Sequence, residues 1–444
     1  MKPWSEYSHS WTQRFTRGTI SVLLLRSFGI GLAFGLNVLL ARLLGLAHYG
    51  QYVYLVVLAG FVAVLGRFGF DAAVMRFLPE YRVAGKRYLA TRLIWTATLI
   101  VMTVASGCAV LLVAGLSLDP LNTIALTTDG WIALLVPLTA LSTLNQGVLQ
   151  GLGWPARALV SEYLVRPVCI AIAVWFLWFE NGRRLSVEMA LVGTVIGLAA
   201  GIVLQYLLIH SANRGVSGDT KPVTYPWKLW LAVAWPLLGM GFLNMTLARS
   251  DLLLLGIFRN PDVEGYYQPA VRLAGFISFG LAAINGIVAP MISELYAQKR
   301  MTELQALVNR TVRSGSILGC LVAIILAIDS RLLLRLFGPG FDAGRWPLLI
   351  LMIGQLVNVS VGPVGYFLAM TNSHRAAFWI LLQGALLGVL AAWFAIPFYG
   401  AMGAALASSL AMIWWNIAMV VFLRHRYGWW IIPFFGIRTR AATP

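Results

Sequence analysis

Apolar runs of about twenty residues recur from one end of the chain to the other, the length that carries an α-helix across a bilayer. Twelve such spans are predicted, near 20–44, 52–78, 89–116, 131–150, 157–179, 187–210, 229–256, 266–292, 314–334, 346–369, 376–396 and 401–423. The gaps between them are short and rich in Gly, Pro and Asn. None is long enough for an extramembrane domain. The short alternating segments of a transmembrane β-barrel do not appear. The longest gap, HSANRGVSGDTKPVTYPWK at 210–228, has linker composition and separates spans six and seven.

Two stretches share a layout. LLGLAHYGQYVYLVVLAGF at 43–61 and LLLGIFRNPDVEGYYQPAVRLAGF at 253–276 each close a span with Leu-Leu-Gly, make a short turn, and restart with Gly-x-Tyr. Gly50–Tyr52 and Gly265–Tyr267 differ by 215 positions, and Phe61 and Phe276 keep that offset. Six spans per half preserve orientation, so the halves are expected to be parallel repeats about an axis along the membrane normal. The fold expected is an all-α polytopic membrane protein of about twelve transmembrane helices. They would form two six-helix lobes related by a pseudo-two-fold, an N-lobe at 1–210 and a C-lobe at 229–444, joined by a cytoplasmic linker at 211–228.

Composition agrees. Of 444 residues, 59% are hydrophobic and 11% charged, with mean hydropathy +0.80; soluble domains carry about 25% charged residues. The net charge of +17 would suggest nucleic acid in a soluble chain. Here it reports topology. With both termini in the cytoplasm, the inside segments hold 19 Lys and Arg and the outside turns hold 6, as the positive-inside rule requires. That orientation fits a plasma (bacterial inner) membrane. The first 18 residues lack a short apolar core ending in a small-residue cleavage site, so no signal peptide is expected. Trp4, Tyr7, Trp11 and Phe15 recur at helical spacing, with Lys2, Arg14 and Arg17 between them. They read as an amphipathic helix in the headgroup region. Cys108, Cys169 and Cys320 suit neither a disulfide framework nor a metal site and read as small core residues. No cofactor motif, nucleotide loop or nucleophile triad is present, so no enzymatic activity and no cofactor are expected.

The informative residues are the charges within spans. Eight arginines lie there: Arg26, Arg42, Arg67, Arg76, Arg92, Arg166, Arg249 and Arg272. A charge at mid-bilayer costs at least ~3 kcal/mol, so such groups pair or face a wet cavity. Helical spacing pairs Arg67 with Asp71, Arg76 with Glu80, and Glu162 with Arg166. The last two pairs sit at helix ends, where snorkelling is sufficient. Arg26 lies deeper in span one, in line with Asn37. Arg249 and Arg272 occupy the outer half of spans seven and eight, and Asn244 and Asp251 share a face of span seven. Pro236 is placed to kink that span below them. Arg26, Asn37, Arg67, Arg249, Arg272 and Asn244 are therefore the expected substrate contacts, and Asp71, Glu162 and Asp251 the candidates for ion coupling. The alternative is that Arg67–Asp71, and Asp251 with Arg249 or Arg272, only clip helices together. Arginines outnumber acids, which points to an anionic substrate such as a phosphate.

ARLLGLAHYGQYVYL at 41–55 followed by FGFDAAVMRFLPEY at 68–81 resembles the opening of the polysaccharide-transporter flippases of bacteria and archaea, the O-antigen type. Their superfamily includes the multidrug and toxic-compound extrusion transporters. RSDLLLLGIFRNPDVEGYYQPAVRL is similar to the start of their second half, and LLLRLFGPGFDAGRWPLLIL at 332–351 to the segment after their ninth span. The resemblance implies two six-helix lobes and alternating access. The cargo implied is an undecaprenyl-diphosphate-linked oligosaccharide, moved from the cytoplasmic to the outer leaflet for surface polysaccharide synthesis. Lipid-II flippases of the superfamily usually have fourteen spans. Partners implied are the lipid-linked oligosaccharide, membrane lipids, and a polysaccharide polymerase or glycosyltransferases; nucleic acid is not among them. Cation-coupled multidrug efflux is the alternative, although span one carries no acid. A membrane glycosyltransferase would need a larger loop or an acid cluster.

Overall fold

The computed structural model describes residues 4–117, 126–213, 226–258, 261–371, 373–432 and 436–439. The first half contains α1 (Trp4–Leu44), α2 (Leu46–Arg67), α3 (Phe70–Val83), α4 (Arg87–Ser117), α5 (Leu126–Gly151) and α6 (Pro155–Val160). A π-helical turn (Ser161–Val165) leads into α7 (Arg166–Glu180), and α8 (Val187–Asn213) follows. The second half contains α9 (Trp227–Phe258), α10 (Pro261–Ala297), α11 (Met301–Ile328), α12 (Ser330–Arg335), α13 (Arg345–Val361), α14 (Val364–Met370), α15 (His374–Tyr399) and α16 (Ala401–Tyr427). A short antiparallel hairpin, β1 (Trp429–Ile432) and β2 (Gly436–Thr439), follows α16, with Trp429 opposite Thr439.

Among the described residues, eleven helical segments are long and apolar enough to cross a membrane. The 37-residue α10 lies between the seventh and eighth of them and completes the twelve. The protein is an all-α multi-pass membrane protein. Among the described residues, the departure from all-α is the hairpin after α16, whose Trp429 joins Phe367 and Tyr427 in an aromatic cluster. The backbone of α1 runs unbroken from Trp4 through span one. The amphipathic face expected from Trp4, Tyr7, Trp11 and Phe15, and linker residues 214–225, lie outside the described residues.

Four spans expected to be continuous are interrupted, span nine at Asp329, between α11 and α12. Span two breaks at Phe68 and Gly69, both left-handed (φ 50° and 75°), so it consists of α2 and α3. A Cβ at Gly69 would overlap the Ala234 carbonyl of α9, so only glycine permits both that backbone and that approach. Phe68 tolerates the same region with its ring 5.7 Å from that of Trp235. Span five widens into the π turn before Pro167, where the Arg166 N–H bonds the Ser161 carbonyl. Proline has no N–H for the Tyr163 carbonyl and its ring would strike it, so the helix inserts one residue instead of breaking. Span ten stops at Gly362 and Pro363 and resumes as α14. Pro236, expected to kink span seven, lies inside α9, which is continuous.

Two compact units, Met1–Met245 and Thr246–Pro444, make up the chain. Their internal packing follows one scheme. In the first, α5 packs on α2, α4 and α8, and α7 on α8; in the second, α13 packs on α10, α11 and α16, and α15 on α16. In each unit, that is, the fourth span touches the second, third and sixth, and the fifth touches the sixth.

Candidate functional site

In the first unit, Arg67 ends α2 and Asp71 opens α3. Arg67 Nη1 donates to Asp71 Oδ2 at 2.9 Å. The expected i, i+4 pair thus forms, but across a helix break instead of along one face. Helix dipoles favour the arrangement, with the cation at a C-terminus and the anion at an N-terminus. The pair staples the two halves of span two. Asn37 is buried and bonded at both side-chain atoms. Its Nδ2 donates to the Ala33 carbonyl at 2.6 Å, and its Oδ1 accepts from the Tyr49 hydroxyl at 3.0 Å. One turn on, Tyr52 meets Thr194 Oγ1 of α8 at 2.9 Å. Thr194 gives its own proton to the Ala190 carbonyl, so Tyr52 is the donor.

Arg26 is exposed on α1. With Glu162 it sets the electrostatic surroundings of Tyr163, on the π turn against which α1 packs. Gly29 allows that approach, since a Cβ there would overlap the Tyr163 side chain. Glu162 is exposed and is not ion-paired with Arg166: the wide turn separates residues that an α-helix would stack. Arg76 and Glu80 are also exposed and unpaired with each other; the Arg76 guanidinium lies 5.5 Å from the Phe77 ring centre. The Asn244 side chain is exposed, with Nδ2 on the Met240 carbonyl at 2.9 Å.

In the second unit, Asp251 is 7% exposed. Its Oδ2 accepts from the Tyr267 hydroxyl at 2.7 Å and from the Ser408 hydroxyl at 2.8 Å, and its Oδ1 accepts the Leu252 N–H at 2.8 Å. Asp251 therefore links α9 to α10 and α16 through hydroxyls. It forms no ion pair with Arg249 or Arg272, so the clip offered as an alternative is absent, although its charge acts on Arg249. Arg249 and Arg272 are half-buried and close enough for each to raise the potential at the other. The buried Arg272 Nε has no hydrogen-bond partner. Two guanidiniums held together in a poorly solvated place repel, and an anion between them relieves that repulsion.

Several buried polar residues were not singled out from the sequence. Tyr49, Tyr52, Tyr267, Thr194 and Ser408 supply the hydroxyl bonds; for the two Gly-x-Tyr residues, Tyr52 and Tyr267, the shared offset was the available signal. Glu264 and Gln268, one turn apart on α10, are each 2% exposed with an Oε1 lacking a partner. They sit at the edge of span eight, where charged residues read as solvated. The three cysteines are free and half-buried. Among the described residues, no group of three or more His, Cys, Asp or Glu is placed to hold a metal ion.

The profile of the family described as "Polysaccharide biosynthesis protein" matches residues 15–296. The chain belongs to that family. Among curated relatives, it is 22% identical to sporulation protein YkvU of Bacillus subtilis over 64% of this chain and 66% of that protein. It is 23% identical to the probable flippase AglR of Haloferax volcanii over 65% of each. The chain thus spans about two thirds of the length of these relatives. Among solved structures, an inward-facing multidrug resistance MATE family transporter of the MOP superfamily superposes with a TM-score of 0.69 at 13% identity, covering 92% of this chain and 97% of that one. At that identity the likeness establishes a shared fold. This member of the polysaccharide biosynthesis family has the helical scaffold of that transporter.

Proposed function

We propose that the protein is a flippase that moves a polyprenyl-diphosphate-linked oligosaccharide from the cytoplasmic to the outer leaflet, for surface polysaccharide synthesis. The observation that carries this reading is the Arg249–Arg272 pair, two half-buried guanidiniums with no carboxylate ion-paired to either. Guanidinium keeps its charge when desolvated and binds phosphate oxygens in a fork. Arg26 is a further anion contact in the first unit, at a different point of the path. Family membership and the likeness to a probable flippase support the same reading.

The efflux alternative calls for an acid free to meet a cationic drug. Asp251, the buried acid of the second unit, already accepts three hydrogen bonds, and Asp71 is held by Arg67. Of the proposed coupling residues, Asp251 is the best placed, because protonating it would loosen Tyr267 and Ser408 together. Both termini are proposed to be cytoplasmic, in a bacterial inner membrane. Single cysteines at 183 and 262 should then react with an impermeant thiol reagent from outside, and one at 85 should not.

The test is flipping of undecaprenyl diphosphate-linked sugar in proteoliposomes. Arg249→Gln and Arg272→Gln should each lower the rate by about tenfold or more, since a charge-assisted hydrogen bond is worth about 1.5–3 kcal/mol. Arg→Lys at the same positions should give intermediate rates, keeping the charge and losing the fork. Full activity in both Gln variants at normal membrane levels would refute the assignment.

A further inference from the structure

An apolar groove of about 600 Å³ lies between α1 and α7, lined by Leu39, Ala171, Ile172, Trp175, Phe176 and Phe179. Ile172, Trp175, Phe176 and Phe179 form one stripe at helical spacing and remain between 54% and 66% exposed. The groove ends where α7 ends, and there the character of the surface changes. Gly182 and Arg183 are left-handed, with φ 61° and 64°. They fold the chain back so that the Arg183 N–H bonds the Trp178 carbonyl at 2.9 Å and its guanidinium lies 5.9 Å from the Trp178 ring centre. Arg184 follows, exposed. On α1, Arg42 is exposed one turn beyond Leu39. The acids at this end are Glu180, exposed, and Glu188 in the first turn of α8, so arginines exceed carboxylates.

A helix face turned to lipid is apolar by default. This one differs in being concave and walled by aromatic side chains, and the chain that leaves it at the end of α7 carries two exposed arginines in succession. Its complement is an amphiphile with a long apolar chain and a compact, multiply charged anionic head. We propose that the groove is a docking site for the polyprenyl chain of the diphosphate-linked lipid, with the diphosphate held by Arg183 and Arg184 and flanked by Arg42. The inference rests on the flippase reading and adds a lipid-tail site in the first unit, distinct from the arginine pair of the second. In the proposed orientation it lies in the outer leaflet and receives the lipid after its head has crossed.

Native mass spectrometry of the purified full chain, titrated with undecaprenyl diphosphate, tests this. Ala171→Trp fills the groove without adding a polar group, and Arg183→Gln with Arg184→Gln removes the cap from an exposed turn. Each should weaken binding by about tenfold, the factor set by 1.4 kcal/mol, and phosphatidylglycerol at the same concentration should not displace the probe from the unmodified protein. If Ala171→Trp fails to fold, the arginine double variant decides alone. Equal binding by the unmodified protein and these variants overturns the groove while leaving the flippase reading intact. Equal displacement by phosphatidylglycerol also overturns it, because the groove is then a seat for any anionic phospholipid. If undecaprenyl diphosphate does not bind the unmodified protein at all, both the groove and the flippase reading fall.

Discussion

The same tyrosine position does two different jobs in the two units. In the first, Tyr52 of the second span bonds Thr194 of the sixth span. In the second, Tyr267 stands 215 positions later and Ser408 stands 214 after Thr194, but the two hydroxyls meet on the carboxylate of Asp251. A neutral hydroxyl bond between buried groups contributes about 1 kcal/mol and titrates with nothing. A buried carboxylate that accepts hydroxyls from α10 and α16 ties three helices at one point. The arginines divide similarly: Arg67 of the first unit is held by Asp71, whereas Arg249 of the second feels the charge of Arg272 and is ion-paired with no carboxylate. Repeats with one packing scheme have thus placed their charges differently. One unit uses them to hold a broken helix, and the other leaves Arg249 and Arg272 without an ion-paired carboxylate.

Breaking this contrast should affect Asp251 most. Asp251→Ala leaves the Tyr267 and Ser408 hydroxyls without their acceptor, at about 1–3 kcal/mol each, and should lower the Tm of the detergent-solubilised protein sharply. Asp251→Asn keeps most of the shape. Retained fold with lost transport would identify the carboxylate as the coupling group, whereas normal transport would make it a structural clip. Next is the helix break. Arg67→Ala should impair transport more than Asp71→Asn in proteoliposomes. Exchanging the two residues should restore little, because the swapped charges would oppose both helix dipoles, each worth about 0.3–1 kcal/mol; full rescue would show that the pair acts by attraction alone. Smallest should be Thr194→Val, which removes the neutral counterpart at about 1 kcal/mol and should leave transport nearly unchanged. A transport loss there as large as that of Asp251→Asn would erase the distinction between the units.

Much of this was legible beforehand. Twelve spans could be counted because bilayer thickness fixes the length of an apolar run. Arg67 and Asp71 could be paired from spacing. The failures have local causes. Glu162 and Arg166 have the same spacing, but Pro167 forces a wide turn between them and the pair does not form. The hydroxyl partners of Asp251 were not legible, because Ser408 stands 157 positions away. Glu264 sits at the edge of a span, where burial cannot be distinguished from solvation by hydropathy.

The chain by itself determined that it crosses a membrane many times, that its halves repeat, and that arginine exceeds acid inside the spans. All three are one-dimensional properties, set by the cost of placing each residue in hydrocarbon. Tertiary structure decided which of those charges are neutralised. The break at Gly69 depends on a carbonyl of α9, the hydrogen bonds of Asp251 depend on hydroxyls from α10 and α16, and the influence of Arg272 on Arg249 acts from α10 to α9. Hydrogen bonds act over about 3 Å, so their partners are settled by packing and not by order along the chain.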